Sequence, residues 1–377
     1  MATWSVTLLS LLLLLLQGAP PASGEIIVTG QRLEMLRECE ERRCSTPEDV
    51  RRSIAYAEAL FARGKYSEAR AALSAAVSRQ RQNARQFPRL IAALYEASAT
   101  INLHLGDMGR YRTAIIAQGR TLGENLPEDD PQVLLNRVEL GNFWLKQHQY
   151  SEARRQFESA AQSYARRGEL RLSALCQLRV VALDIGLRSF AAAEKRLELI
   201  GRLPAAADPA VRLMNAVMVA RLASARGKDV DVDALIATLR AEPSATPVLV
   251  RSGPTPPEAQ EQPPMFLGEK VPDPGRTSLR WVDVGYMIGP DGRVSDVEVL
   301  RSSRGPSWVQ AYLAEIAGRR YVPVDLPPGI PGIYRVERYT LRAALSVPKG
   351  SLIKQATGRT DVVVTDLTGR HVASRKK

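Results

Sequence analysis

Residues 64–78 read GKYSEARAALSAAVS, and residues 148–160 read HQYSEARRQFESA. Each opens on a turn and then places one face at helical spacing. Tyr66, Ala69, Leu73 and Val77 make that face in the first copy, and the second repeats Tyr-Ser-Glu-Ala-Arg. Upstream of the first copy, Thr46-Pro47-Glu48-Asp49 is a helix start: a hydroxyl cap, proline in the first turn, and acids at the positive end of the dipole. Val50, Ile54, Ala57 and Phe61 follow on one face. Weaker copies lie downstream at Gly109-Arg110-Tyr111 with Ala114, at Ser189-Phe190 with Ala193 and Leu197, and near Val230 with Ala234. The anchors Tyr66, Tyr111, Tyr150, Phe190 and Val230 recur at about 40 residues, a period that marks stacked helix pairs. Asp130-Pro131 and Asp208-Pro209 supply further cap-plus-proline starts. One pair cannot cover its own apolar face, whereas several in a row share a continuous core. Helix pairs are therefore expected over residues 45–240.

The turn Gly64 with Tyr66, Ala69, Leu73 and Ala76 resembles the second half of a tetratricopeptide repeat. Gly141, Trp144, Tyr150, Ala153, Phe157 and Ala160 match the same family pattern. The period departs from it, being nearer about 40 than 34, as in longer-helix relatives. The resemblance implies a right-handed α-solenoid with a concave groove for a peptide or protein. A spacer or dimerisation scaffold is the alternative role.

The ends of the chain differ from this middle. Residues 1–24 hold no charged side chain, and Leu8 to Leu16 is leucine apart from Ser10. Breakers from Gln17 to Pro21 and the small residues Ala22-Ser23-Gly24 follow, so this stretch reads as a cleaved secretory signal and the mature chain as periplasmic. No Lys or Arg precedes the apolar run, which keeps an uncleaved inner-membrane anchor as the alternative. Residues 25–44 then read as an extended segment containing Cys39 and Cys44. An oxidising compartment favours a disulfide between them. A regular helix would hold Cα atoms five apart at about 8 Å, so the bond needs a bend, and two free thiols are the other option. Cys176 lies in an apolar helical run and reads as a packed thiol. The net charge of +12 would suit nucleic acid, but the export signal and the lack of zinc spacing or a recognition helix argue against it. Solvated helix faces or an anionic envelope surface account for the charge instead. Residues 368–377 form a basic tail.

Residues 241–277 are crowded with proline and read as a semi-rigid linker, with Pro247–Arg251 as a short edge strand within it. The period then changes to two. Leu279, Trp281, Asp283, Gly285 and Met287 alternate with Arg280, Val282, Val284, Tyr286 and Ile288. Pro290-Asp291-Gly292 is a turn, and Val294, Val297, Val299 and Leu300 make the returning strand of a hairpin. Pro306-Ser307-Trp308 opens a helix carrying Val309, Tyr312, Leu313 and Ile316. Arg319–Val324 leads out of it, and Tyr334–Leu345 is a long strand.

This order resembles the TonB C-terminal domain over residues 278–345, most specifically at Pro290-Asp291-Gly292-Arg293-Val294 and at Arg320-Tyr321-Val322-Pro323. The fold implied for the whole chain is helix pairs followed by a small TonB-like α+β domain over residues 278–367. In that family the domain binds extended segments of outer-membrane receptors by strand addition. By position the docking edge is Tyr334, Arg335, Val336, Glu337, Arg338, Tyr339, Thr340 and Leu341, with Arg335, Glu337, Arg338 and Arg342 keeping it soluble. Glu25-Ile26-Ile27-Val28-Thr29-Gly30 resembles the segment such domains recognise, and Asp361-Val362-Val363-Val364-Thr365 has the same character. One of them is expected to pair with the Tyr334–Leu345 edge within the molecule, the C-terminal one being better placed. An ordinary strand closing a small sheet is the alternative.

The three histidines His104, His148 and His371 fall in different elements, and no metal, cofactor, phosphate or nucleophile motif is present. The reading is a non-enzymatic periplasmic adaptor with no cofactor or metal. Its repeats bind one protein, and its sheet domain docks an extended peptide. A membrane-anchored TonB-type energy transducer and an envelope scaffold for anionic lipid or peptidoglycan are the alternatives.

Overall fold

The computed structural model describes residues 29–41, 44–228, 230–231, 233–235, 247–254, 279–303, 306–346 and 355–368. The fold is mostly α-helical with two small antiparallel sheets, an α+β layout. The helices are α1 (Thr29–Glu41), α2 (Thr46–Ala62), α3 (Tyr66–Gln80), α4 (Pro88–His104), α5 (Met108–Asn125), α6 (Pro131–Lys146), α7 (Tyr150–Arg166), α8 (Leu170–Gly186), α9 (Phe190–Arg202), α10 (Pro209–Ala225) and α11 (Gln310–Ala317). The strands are β1 (Leu249–Arg251), β2 (Arg280–Ile288), β3 (Val294–Ser302), β4 (Arg320–Tyr321), β5 (Ile333–Ser346) and β6 (Gln355–Asp366).

Helices α2 to α10 pack each on its sequence neighbour, and α2 also touches α4 as α8 touches α10. The starts follow local chemistry. Asp130 accepts from Gln132 N, and Asp208 accepts from Ala210 N and Val211 N, each with proline in the first turn. Asp107 caps α5 through Arg110 N. After α2, α4, α6, α8 and α10 the chain turns through one left-handed residue, in the order Gly64, Gly106, His148, Arg188 and Gly227, with φ of 75°, 72°, 57°, 60° and 79°, and Gly168 after α7 is also left-handed, with φ 76°. These five positions carry the repeat more faithfully than the aromatics do. Tyr66 and Tyr111 are buried, whereas Tyr150 is exposed and leaves Ala153, Phe157 and Ala160 to fill its pair. Phe157 sits where a side chain at Gly141 would have to stand, so α6 and α7 meet closely there.

His148 and Arg188 adopt a conformation that costs a β-carbon-bearing residue about 1–2 kcal/mol. Glycine at either position should relieve that strain and raise stability by less than about 1 kcal/mol in urea unfolding, because each replacement also loses a contact: His148 Nδ1 lies 3.0 Å from the Tyr150 hydroxyl, and the Arg188 guanidinium lies 5.9 Å from the Phe190 ring centroid.

Residues 29–41 correct the expectation of an extended N-terminal segment. They form α1, which packs on α2 through Leu36 and Cys39. The helix stops at Glu41, Cys44 N bonds to Cys39 O at 3.0 Å, and the bend brings the two Cα atoms to 5.0 Å in a disulfide. Cys176 is fully buried, and burial pushes its thiol up to about 12.

The four-stranded sheet has the order β3-β2-β5-β6, all antiparallel. The β2–β3 turn has Gly292 N on Gly289 O at 2.9 Å and Asp291 Oδ1 accepting from Arg293 N at 3.0 Å, and Gly292 has φ 76°. Side chains alternate across the sheet. Val282, Val284, Tyr286, Ile288 and Tyr339 pack with Val309 and Ile316 on the α11 side. The other face carries Trp281, Asp283, Val336, Arg338 and Thr340, and the ends of α2, α3 and α4 cover it. Gly64 is required here, since a β-carbon would run into the Trp281 indole.

The proline-rich region is only partly a linker. β1 pairs with β4, Arg221 donates to Leu249 O at 3.1 Å, and Val248, Val250, Val322 and Val324 join the core of α8, α9 and α10. Residues 255–278 lie outside the described residues. The sheet is thus held by the helical half at two separate places.

Candidate peptide-docking site

The docking strand read from the sequence is β5, and its position differs from expectation. It is not an edge. Arg338 pairs with Asp283 of β2 on one side and with Thr365 of β6 on the other, and Thr340 likewise with Trp281 and Val363. Val336, Glu337, Arg338, Tyr339, Thr340 and Leu341 are all buried, and Tyr334 alone is exposed among the eight. The reason is the C-terminal strand. Asp361 to Thr365 aligns with Arg342 to Arg338, so the segment with acid-then-β-branched character does pair with this strand within the molecule. Glu25–Val28 lies outside the described residues, and Thr29 and Gly30 begin α1.

The charges on β5 do not serve solubility. Alternation sends them to opposite faces, and each meets a partner. Arg335 holds Asp366 at 2.8 Å, Glu337 holds Arg319 at 3.0 Å, and Arg338 holds Asp283 at 2.6 Å. Arg342 donates to the Leu103 carbonyl oxygen. Burial opposes the charge on Glu337, but Arg319, Tyr339, Arg335 and Tyr286 outweigh it and hold the carboxyl below its ordinary value.

His104, which sequence reading left without a role, fastens β6 to the rest. It is the last residue of α4, and its Nδ1 and Nε2 lie 2.9 Å from Thr340 Oγ1 and 2.8 Å from Thr365 Oγ1. Its ring stacks on Tyr66 at 5.6 Å with Phe61 edge-on at 4.8 Å. Leu367 is buried with Val336, and Leu367 N bonds to Val336 O at 2.8 Å. These ties make β6 an integral strand of the sheet. Sequence could have flagged only the buried aromatic-and-histidine grouping, and only once the repeats were folded.

The outer strands are therefore β3 and β6. β3 is blunted: its register against β2 shifts twice, Asp296 takes φ 52°, and Glu298 and Arg301 project from it. Bulges and charges of this kind resist pairing with another chain. β6 carries Val362, Val363, Val364 and Thr365 in succession, and among the described residues no strand pairs with its outer side. In an antiparallel strand successive N–H groups point to opposite sides. Since Leu367 N points at β5, the N–H groups of Thr365 and Val363 do as well, and those of Val364 and Val362 face outward.

Among the described residues no three His, Cys, Asp or Glu side chains gather as metal ligands, and no helix is long and apolar enough to cross a membrane. Neither a scan against protein-family models nor a search of curated proteins returned a match for this chain.

Proposed function

We propose that the chain is a non-enzymatic, exported adaptor in which tetratricopeptide-like repeats bind one protein and a TonB-like sheet domain docks an extended peptide by strand addition. The observation that carries the docking half is the outer side of β6. It is a 12-residue strand at the end of a sheet whose two faces are both covered, with a run of β-branched residues and outward backbone donors. An extended peptide gains main-chain bonds there without displacing any of the described strands. The docking edge moves outward by one strand from Tyr334–Leu341, and the chemistry of the reading is unchanged. The helical half supplies rigidity, because α4 grips β6 through His104.

The test uses the peptides EIIVTG and DVVVT, blocked at both ends, against the whole protein by calorimetry. Val364→Pro removes an outward donor while the bonds to β5 remain, and it should weaken binding at least tenfold at a temperature where the variant is folded. Glu298→Pro on β3 should leave binding unchanged. Equal affinities for the protein and its Val364→Pro variant would dispose of docking at this edge.

A further inference from the structure

The side chain that fastens the docking strand is a histidine, the residue type whose ordinary titration falls between pH 5 and 8. His104 ends α4 and is 1% exposed. Both ring nitrogens are engaged across two strands, Nδ1 with Thr340 Oγ1 of β5 at 2.9 Å and Nε2 with Thr365 Oγ1 of β6 at 2.8 Å. A neutral imidazole has one donor and one acceptor, and two hydroxyls answer both, because each can donate or accept. The cationic ring has two donors and needs an anion close by to offset its desolvation.

The surroundings oppose that cation. Phe61 of α2 stands edge-on to the ring, and Tyr66 of α3 stacks on it. Burial raises the Tyr66 hydroxyl, which stays neutral. β5 brings two guanidinium groups. Arg338 Nη1 lies 3.5 Å from the Tyr66 hydroxyl, and Arg342 donates to the carbonyl oxygen of Leu103, the residue before His104. The carboxylates on the adjoining elements have arginines of their own. Asp283 of β2 holds Arg338 and Arg301, each at 2.6 Å, Asp366 of β6 holds Arg335 at 2.8 Å, and Asp107 at the cap of α5 holds Arg110 at 3.5 Å. Asp361 of β6 stands in register with Arg342. The carbonyl end of α4 favours charge on the ring, and Arg342 already answers it at Leu103.

We propose that His104 is a pH-sensitive latch: protonation of its ring loosens β6 from β5 and switches the docking edge off. This rests on the reading of β6 as the docking strand. A ring freed into water takes a proton near the ordinary value of about 6.5, whereas burial among arginines opposes the charge on the latched ring. The grip is therefore whole above that pH and weakens by up to about tenfold per unit below it.

Hydrogen exchange of the whole protein, with each rate taken relative to the intrinsic rate at the same pH, reads the latch without any peptide. The Val363 and Thr365 amides, which point at β5, should lose about tenfold or more in protection between pH 7.5 and 5.0. Those of Val180 and Val181 in α8 should change less than about twofold. In His104→Gln, whose amide keeps a donor and an acceptor but does not titrate, the fall should vanish; in His148→Gln and His371→Gln it should persist. Glu139 on α6, pushed up to about 8 by burial, also titrates in this window, but all three variants retain it, so it does not reproduce the pattern. The His104 ring proton, assigned by elimination from the other two variants, should shift over the same pH range, a readout that holds even where His104→Gln does not fold. Protection that ignores pH, a fall that survives in His104→Gln, or a ring that titrates while β6 stays protected overturns the latch. The blocked peptide EIIVTG should bind about tenfold more weakly at pH 5.0 than at pH 7.5 in the parent, and equally at both in His104→Gln. Lost protection with no peptide binding at either pH leaves the latch and removes the docking reading; binding with protection that ignores pH does the reverse.

Discussion

Arg338→Ala should cost about 3–5 kcal/mol in denaturant unfolding, the range for breaking a buried ion pair by removing one partner. The guanidinium is fully buried and uses its whole fork. Nε and one terminal nitrogen bond Asp283 at 2.6 and 3.0 Å, and the terminal nitrogens also reach Phe61 O at 2.6 Å and Ala62 O at 2.8 Å. The last two are C-terminal carbonyls of α2, which no residue of that helix can satisfy. A cation there also complements the helix dipole. The Trp281 ring lies 4.1 Å away. Removal leaves Asp283 with Arg301 at 2.6 Å as its remaining ion-pair partner, and Arg301 is 41% exposed, which weakens it as a substitute. Lysine keeps the charge but not the planar fork, so Arg338→Lys should recover less than half the loss. Asp283→Leu with Arg338→Met tests the balance further. An apolar pair removes the desolvation of both ions and should regain part of the deficit, yet Ala62 O loses its guanidinium donor while Phe61 O keeps only Gly64 N at 2.8 Å, so recovery should stop short of the parent stability.

The contact of Arg338 with the α2 carbonyls spans more than 270 residues of sequence, and the separation explains what could and could not be read beforehand. Helix starts at Asp130-Pro131 and Asp208-Pro209 and the turn at Pro290-Asp291-Gly292 are local chemistry, and the structure has them where the sequence put them. So is the roughly 40-residue period, which the backbone expresses through its left-handed turn residues. Partnership is different. Arg335, Glu337, Arg338 and Arg342 look in sequence like the charges that guard an exposed edge, because nothing local reveals that Asp366, Arg319, Asp283 and the Leu103 carbonyl of α4 will meet them. The segment Asp361–Thr365 was legible as a strand that pairs with β5. That it makes β5 internal and transfers the open edge to itself is a matter of strand order. Gln118 and Glu139 lie on two helices at no motif spacing, so they meet only in the fold.

On the opposite face of the sheet, Arg319→Ala should have an effect of similar size, about 3–5 kcal/mol, and of opposite pH character to the parent protein. Arg319 bonds Glu315 at 2.8 Å, Glu337 at 3.0 Å, and the hydroxyls of Tyr286 and Tyr339 at 3.1 and 2.9 Å. The two tyrosines in turn donate to Glu337 at 2.8 Å each. In the parent, Glu337 sits below its ordinary value, so its contribution is present above the unfolded carboxyl value and is lost as pH falls through the folded one. Without Arg319, burial dominates and the carboxyl should rise above its unfolded value, with Arg335 left as the nearby cation. The variant's stability should then fall as pH rises from about 4 toward neutrality, where the parent's is retained, so the deficit should be smaller at pH 4 than at pH 7. Glu337→Gln keeps two acceptor bonds and leaves Arg319 with Glu315, and should cost about 1–3 kcal/mol. The same comparison separates stability from docking. Arg319 bonds Glu315, Glu337, Tyr286 and Tyr339 and does not reach the outer side of β6, so at a temperature where Arg319→Ala remains folded its affinity for the β6 peptides should match the parent's. A matched loss of stability and of docking would mean that β6 leaves the sheet before the rest of it unfolds.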